Sequence, residues 1–207
     1  MTDLFSPYDL HGLELPNRIV ISAMTRTRAS ETGVPTDLMR DYYAQRTSAG
    51  LIVTECTQVS DQGHGILRCP GFRRADQIEG WRKVTDAVHD AGGRIYVQLW
   101  HCGRVAHPEM RGGEPPVASS PLPAEGDFFL PRGRVEFPTP ATAHRGDRTD
   151  RRGFCAGDAK RSGGRVARAA VGVVVDYNRK QAGHCLASQS GRKTPREQVP
   201  LLATGMQ

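Results

Sequence analysis

Three short runs of apolar, largely β-branched residues occur in the first half of the chain. They are Asn17 to Ala23 (NRIVISA), Leu51 to Glu55 (LIVTE) and Arg94 to Trp100 (RIYVQLW). Runs of this length and composition predict strands that are buried on both faces.

Helical periodicity occupies the two intervals between these strands. In the first interval, Thr36 is placed to cap a helix and Gly50 to stop it. The apolar face of this helix is predicted to hold Leu38, Met39, Tyr42 and Tyr43. In the second interval, residues 76–93, apolar positions recur at steps of three and four until Gly92 and Gly93 end the helix. These positions are Ile78, Trp81, Val84 and Val88.

The resulting order β-α-β-α-β predicts a parallel sheet, either doubly wound or part of a (β/α)8 barrel. Each strand is followed by polar residues at its carboxyl end, where both folds place their chemistry. These residues are Met24-Thr25-Arg26, Glu55-Cys56-Thr57 and Gln98 to His101. No glycine-rich phosphate-binding motif follows the first strand, which favours the barrel.

Composition and cysteine spacing narrow the class of protein. No apolar run approaches the roughly 20 residues of a membrane helix, and the start of the chain lacks a basic segment followed by an apolar one. We therefore expect a cytoplasmic protein without a membrane partner. The five cysteines are widely spaced with no C-x-x-C pair, so we expect reduced thiols and no metal site.

The net charge of +6 is unevenly distributed. Residues 1–140 hold 15 Lys and Arg against 17 Asp and Glu, a net of −2, whereas residues 141–207 hold 13 against 5, a net of +8. Apolar periodicity of either kind also ends at this point. The sequence therefore predicts an ordered part at 1–140 and an irregular basic tail at 141–207.

Several segments of the ordered part carry a specific resemblance. They are LPNRIVISAMTRTRA (15–29), YYAQRTSAGLIVTECTQVS (42–60), PGF (70–72), GWRKVTDAVHDAGGRIYVQLWHCGRVAHP (80–108) and PPVASS (115–120). In order and approximate spacing they resemble the old yellow enzyme family of flavin-dependent ene-reductases. The resemblance covers about two thirds of the chain and stops near FPTPA at 137–141.

The resemblance implies an α/β fold of the TIM (β/α)8 barrel family that binds FMN noncovalently and is reduced by NADPH or NADH. Its substrate would be a small activated alkene or nitro-type compound. Motif by motif, the cofactor-binding residues would be Ala23, Met24, Thr25, Cys56 and Gln98. The Thr25 hydroxyl would reach flavin O4, and the Gln98 amide the pyrimidine edge of the ring.

The resemblance also implies a substrate pocket formed by Thr25, Ile66 and Trp100. At Ile66 the family often has tyrosine, so the substrate preference is not carried over. His101 and His107 are expected to have structural roles, because the family's substrate-binding histidine lies on a later strand.

The family's proton-donating tyrosine, its His/Asn or His/His pair and its FMN phosphate site come later and have no counterpart here. No catalytic residue can therefore be assigned. We expect the first roughly three β/α units of the barrel, truncated and inactive as this chain.

Three other functions stay open. The chain could be a non-enzymatic remnant, or another FMN barrel such as a dihydroorotate dehydrogenase, although the A-M-T-R and Q-L-W-H segments favour the ene-reductases. A protein that uses the basic tail on nucleic acid or anionic surfaces is the weakest alternative, because that tail has few aromatic residues for stacking on bases. The sequence does not predict an oligomeric state.

A shift of reading frame accounts for the change at residue 141. If the gene is read one base later, permitted codons for residues 144–161 (HRGDRTDRRGFCAGDAKR) allow IEEIAQTVADFAQATRNA. In that reading Ile, Ile, Val and Phe recur at i, i+3, i+7 and i+10, which is the apolar face of a helix.

We predict that one inserted or deleted base near the codons for residues 140–144 separates this chain from a full-length reductase. Sequencing the locus is the measurement. The restored frame should encode the helix and, some tens of residues later, a strand that ends in histidine. Early stop codons in the shifted frame would contradict the prediction.

Overall fold

The structure, a computed structural model, describes residues 3–10, 12–118 and 120–142, and the backbone of two strands at 173–174 and 186–187. The strands are β1 (Tyr8–Leu10), β2 (Leu13–Leu15), β3 (Val20–Ile21), β4 (Leu51–Gln58), β5 (Ile95–Trp100), β6 (Val117–Ala118), β7 (Asp127–Leu130), β8 (Gly133–Glu136), β9 (Ala141–Thr142), β10 (Val173–Val174) and β11 (Leu186–Ala187). The helices are α1 (Asp37–Ala44) and α2 (Ala75–Asp90), with one 3-10 turn at Pro108–Met110.

The strands predicted from the three apolar runs form one parallel sheet in the order β3-β4-β5. Helices α1 and α2 make the two crossovers, so the predicted β-α-β-α-β order is confirmed. The other strands form two-stranded pairs: the hairpins β1-β2 and β7-β8, the parallel pair β6-β9 and the antiparallel pair β10-β11. Of the predicted tail at 141–207, only the short strands β9, β10 and β11 lie within the described residues.

The hydrophobic core lies between the sheet and its two helices. The predicted face of α2 is confirmed at Trp81, Val84 and Val88, which are fully buried, and Ile78 packs against the same cluster while partly buried. From the sheet, Ile52 and Leu99 complete the contact. Burial of side chains of this size stabilises the fold by roughly 1.5–3 kcal/mol each.

The first helix differs from its prediction in two respects. Leu38 is 59% exposed, while Met39 and Tyr43, one turn apart, are buried, so the apolar face is narrower than predicted. The helix also ends at Ala44, because the turn that follows is closed by the Thr47 hydroxyl donating to the Ala44 carbonyl (3.2 Å). Thr36 occupies the N-cap position as predicted, but its hydroxyl donates to the Arg28 carbonyl (2.7 Å).

Gly50 does not end α1; it lies just before β4, where it is hydrogen-bonded to the Asn17 side chain. The side-chain oxygen of Asn17 accepts the Gly50 N–H (2.7 Å), and its amide donates to the Ser48 carbonyl (2.8 Å). A Cβ at Gly50 would lie 2.1 Å from the Asn17 carbonyl oxygen, so only glycine fits. The strand predicted at 17–23 is therefore reduced to β3, with Asn17 anchoring the turn before it.

A β-bulge interrupts the pairing of β4 with β5. Val53 pairs with Tyr96 and Cys56 with Gln98, so β4 has one more residue than β5 in this interval. The Thr54 hydroxyl accepts the Gln98 backbone N–H (3.0 Å) and satisfies the donor that the interrupted ladder leaves. After the bulge, Cys56 and Gln98 are neighbours again at the carboxyl end.

Glu55, inside the bulge, is a buried carboxyl group held by α1 and by the chain after β3. The Tyr43 hydroxyl donates to Oε1 (3.3 Å) and accepts the Glu55 backbone N–H (2.8 Å), while the Arg26 backbone N–H donates to Oε2 (3.1 Å). Burial raises the pKa of Glu55, and these hydrogen bonds and the Arg26 charge oppose the shift without cancelling it.

Within the described residues, neither helix is both long and apolar enough to cross a membrane.

The raised pKa of Glu55 predicts a pH dependence of stability. The folded chain keeps this proton at pH values where the unfolded chain has lost it, so the free energy of unfolding falls as pH rises above the ordinary value of 4.5. In Glu55→Gln that decline should be absent. Urea unfolding across this range measures it.

The matched control is Glu79→Gln, which removes a carboxyl from the exposed side of α2, where it pairs with Arg82 (3.2 Å). It should keep the slope of the parent chain. Parallel profiles for Glu55→Gln and the parent would show that Glu55 does not cause the dependence.

Candidate functional site

Three of the predicted cofactor residues form a row across the carboxyl ends of the sheet. The Thr25 hydroxyl lies 2.9 Å from the Cys56 sulfur, and Cys56 is paired with Gln98 in the β4-β5 register. We call Thr25, Cys56 and Gln98 the strand-end row. It combines a hydroxyl, a thiol and an amide across three adjacent strand ends, which is where parallel α/β folds place their binding sites.

The members of the row differ in exposure. Thr25 is exposed and Gln98 is partly exposed, whereas Cys56 is 3% exposed and lies beneath the Thr25 hydroxyl. Within the part of the chain that the structure describes, the Gln98 side-chain amide makes no hydrogen bond, whereas the backbone N–H donates to the Thr54 hydroxyl (3.0 Å). The amide is thus available to a ligand above the row.

Ala23 and Met24 lie in the extended segment between β3 and Thr25. Ala23 is partly buried, and Met24 is 44% exposed, a large apolar side chain on the same segment as the Thr25 hydroxyl. Two residues later, Thr27 has a φ of 52°, in the left-handed region that residues other than glycine rarely adopt. The chain turns sharply here, directly after Thr25.

The predicted pocket residues lie on different elements. Trp100 ends β5, and its indole N–H donates to the Cys102 sulfur (2.9 Å). Ile66 is partly buried in the loop that follows β4. The structure thus places Trp100 at the end of β5 and Ile66 in the loop after β4.

Glycines bring this loop onto the residues that follow β5. A Cβ at Gly65 would lie 2.7 Å from both the Cβ and the sulfur of Cys102 and 3.0 Å from the Cβ of Ala106. A Cβ at Gly63 would lie 3.1 Å from the His101 ring. The loop is therefore in close backbone contact with the carboxyl end of β5.

Both histidines of this region make structural hydrogen bonds, as expected from the sequence. His101 Nδ1 accepts the Gly103 backbone N–H (2.9 Å). His107 Nδ1 accepts the Glu109 backbone N–H (3.3 Å) at the start of the 3-10 turn, and its ring stacks on Phe128. No cluster of three His, Cys, Asp or Glu side chains in the described ranges is arranged to hold a metal ion.

Two features of this site, a cavity beside Glu55 and the proximity of two cysteines, are not predicted by the sequence. Glu55 lines a cavity of about 220 Å³ between α1 and the chain after β3, together with Arg26, Met39 and Tyr42. The sulfur of Cys69, in the segment before α2, lies 3.3 Å from the sulfur of Cys56. The hydrogen bond between the two thiols lowers the pKa of Cys56, and burial opposes the shift.

Comparison with known proteins gives the family. A family model described as "NADH:flavin oxidoreductase / NADH oxidase family" matches residues 3–129. Among curated proteins, the chain is 45% identical to chanoclavine-I aldehyde reductase of Penicillium roqueforti over 141 residues, which are 66% of this chain and 38% of that protein. It is 41% identical to 12-oxophytodienoate reductase 7 of Oryza sativa over 142 residues, 66% of this chain and 36% of that protein.

Solved structures agree in fold. A structure of morphinone reductase in complex with tetrahydroNAD matches with a TM-score of 0.72 and 38% identity, over 79% of this chain and 47% of that one. The old yellow enzyme homologue from Zymomonas mobilis matches with a TM-score of 0.68 and 40% identity, over 76% of this chain and 43% of that one.

The chain thus spans less than half the length of these relatives. The three parallel strands and their two crossover helices correspond to part of an old yellow enzyme TIM barrel, so the fold class predicted from the sequence is confirmed. The chain belongs to the NADH:flavin oxidoreductase / NADH oxidase family.

Proposed function

We propose that this chain carries the flavin-facing amino-terminal part of an FMN-dependent NAD(P)H oxidoreductase that reduces activated alkenes. The observation that carries the proposal is the strand-end row, in which the Thr25 hydroxyl contacts Cys56 and Cys56 pairs with Gln98. The family membership of the chain supports a flavin as the ligand.

The groups of the row fit the edge of a planar heterocycle that carries carbonyl and N–H groups. Thr25 would donate from its exposed hydroxyl to flavin O4, where negative charge accumulates on reduction. Gln98 has an amide able both to donate and to accept at the pyrimidine edge. Met24, 44% exposed, provides an apolar surface for the ring.

When bound, FMN would supply hydride transfer from the nicotinamide to the alkene, and this chain's residues would position the ring and the substrate. Trp100 and Ile66 would line the substrate side from β5 and the loop after β4. Cys56, buried beneath Thr25, leaves room beside the ring because its side chain is small.

We assign no proton donor for the substrate among the described residues. Tyr43 is buried in its hydrogen bonds to Glu55, and burial raises its pKa far above the ordinary range. We propose that the proton donor and the phosphate site belong to the part of the family barrel that the matched segment does not span, and that the 207-residue chain alone is inactive.

We predict that the purified chain is nearly colourless and that NADPH oxidation in the presence of N-ethylmaleimide or 2-cyclohexenone stays at background. The reason is that Thr25 and Gln98 would contact the ring, whereas we assign no phosphate site among the described residues. Absorbance near the flavin bands and a coupled NADPH assay are the measurements. Stoichiometric FMN in the purified chain would refute the first expectation. Turnover by the parent chain that is lost in Gln98→Ala would refute the second.

The role of the row can be tested in a complete barrel. Residues 3–129 would replace the aligned segment of morphinone reductase, and the chimera should bind FMN. In it, Thr25→Val removes a hydrogen bond worth about 1 kcal/mol, so FMN should bind about fivefold more weakly. Fluorescence titration of the apoprotein measures the affinity.

The matched control in the chimera is Thr32→Val, which removes an exposed hydroxyl that contacts Ser30 (3.1 Å) on the loop before α1. It should leave FMN affinity unchanged. A folded chimera in which Thr25→Val and Thr32→Val bind FMN equally would argue against the assigned role of Thr25.

A further inference from the structure

Cys56 and Cys69 form a buried pair of thiols that the proposed flavin chemistry does not require. Their sulfur atoms are 3.3 Å apart, and the Cys69 thiol also donates to the Cys56 carbonyl (2.8 Å). Both side chains are almost fully buried, at 3% and 2% exposure. Cys56 belongs to β4 and Cys69 to the segment before α2, so the pair joins two elements separated by 13 positions.

Backbone hydrogen bonds hold the two segments side by side. The Gln58 N–H donates to the Pro70 carbonyl (2.8 Å), and the Phe72 N–H donates to the Gln58 carbonyl (2.8 Å). Gln58 and Gly71 form a parallel bridge between them. Because these bonds join the two segments directly after Cys56 and Cys69, they keep the two sulfurs close independently of the contact between the thiols.

The third buried cysteine nearby is bound differently. The Cys102 sulfur accepts the Trp100 indole N–H (2.9 Å), and burial raises the pKa of Cys102 to about 12. A thiol with so high a pKa is almost entirely protonated near neutral pH and is a poor nucleophile. The hydrogen bond to Cys56 and burial raise the pKa of Cys69 as well, so Cys69 differs from Cys102 in its position, 3.3 Å from the Cys56 sulfur. Cys102 is therefore the internal reference for a buried thiol outside the pair.

Cys56 has the features of the attacking thiol. Its sulfur is hydrogen-bonded to Cys69 and to the Thr25 hydroxyl, contacts that lower its pKa in that order against the effect of burial. Cys56 itself is 3% exposed, and the Thr25 side chain that contacts its sulfur is exposed. Thr25 therefore marks the side from which a small oxidant would approach Cys56.

We propose that Cys56 and Cys69 are a redox-active dithiol that hydrogen peroxide converts to an intrachain disulfide. The Cys56 thiolate attacks one peroxide oxygen, the O–O bond breaks, and a proton completes the released water, leaving a sulfenic acid on Cys56. Cys69 sulfur then attacks the Cys56 sulfur, forming the S–S bond, and its proton leaves with the hydroxyl as a second water. Overall, two thiols are oxidised and one peroxide is reduced to two waters.

The disulfide changes the local hydrogen bonds. Cys69 loses the proton that it donates to the Cys56 carbonyl, and in the contact between Cys56 and Thr25 only the Thr25 hydroxyl can then donate. The contact beneath Thr25 is then limited to a weak sulfur acceptor. This inference needs no bound flavin and stands independently of the proposed function.

The test uses the full chain with Cys155→Ser and Cys185→Ser, which leaves Cys56, Cys69 and Cys102 as its cysteines. After treatment with hydrogen peroxide, we expect two of the three thiols to be lost. Peptide mapping should find Cys56 linked to Cys69, and dithiothreitol should restore both thiols. Far-ultraviolet circular dichroism checks that the chain is folded.

The same oxidation in concentrated urea is the control for pre-organisation. Unfolded chains lose the alignment by the Gln58 and Phe72 hydrogen bonds, so the Cys56-Cys69 link should form at least tenfold more slowly and alongside links to Cys102. The Cys102→Ser variant should still form the disulfide in the folded chain.

A Cys69→Ser variant separates the two steps. Without the resolving thiol, the Cys56 sulfenic acid should persist and be trapped by dimedone. Three thiols remaining after peroxide treatment of the folded chain, or a link that involves Cys102 as often as Cys69, would overturn the proposal.

Discussion

The described part of the molecule depends on the way that β4 accommodates one extra residue. β4 is the central strand of the sheet, hydrogen-bonded to β3 on one edge and to β5 on the other. An extra residue in such a strand reverses the alternation of every side chain that follows it. The extra residue is accommodated within the bulge, where the Thr54 hydroxyl accepts the Gln98 N–H and the Tyr43 hydroxyl accepts the Glu55 N–H. Beyond the bulge, Cys56 pairs with Gln98. The strand-end row exists because of that correction.

A second buried polar side chain, Gln77, connects the start of α2 to the loop before α1 by hydrogen bonds. Gln77 is 1% exposed; its amide oxygen accepts the backbone N–H groups of Arg73 and Arg74 at the start of α2, and its amide nitrogen donates to the Thr32 carbonyl in the loop before α1. Buried amides of this kind stabilise one arrangement of loops because each unmade bond costs about 1–3 kcal/mol. The loops that carry Thr25 and Cys69 are thereby fixed to the helices.

The sequence correctly predicts most buried helix faces, which follow from the spacing of apolar residues. It does not predict features that depend on single polar contacts. Trp81, Val84 and Val88 are spaced for one helical face, and each is buried as predicted, because packing against a sheet selects for that spacing. Leu38 fits the same rule and is exposed, since α1 is short and contacts the core through Met39 and Tyr43. The bulge in β4 does not alter the pattern of apolar residues in the sequence. The reversed side-chain alternation at Thr54 and Glu55 could therefore be found only from the strand register. The proximity of Cys69 to Cys56 likewise depends on the path of a loop, which local sequence does not specify.

The close approach of Gly65 to Cys102 has an evolutionary consequence. The loop after β4 lies against Cys102 and Ala106 with no space for even one methyl group. The sizes of the side chains at these three positions cannot vary independently, because an added carbon at one requires a smaller residue or a moved backbone at another. Among sequences that share this loop, we expect positions 65, 102 and 106 to covary, and bulky residues to be excluded from all three together.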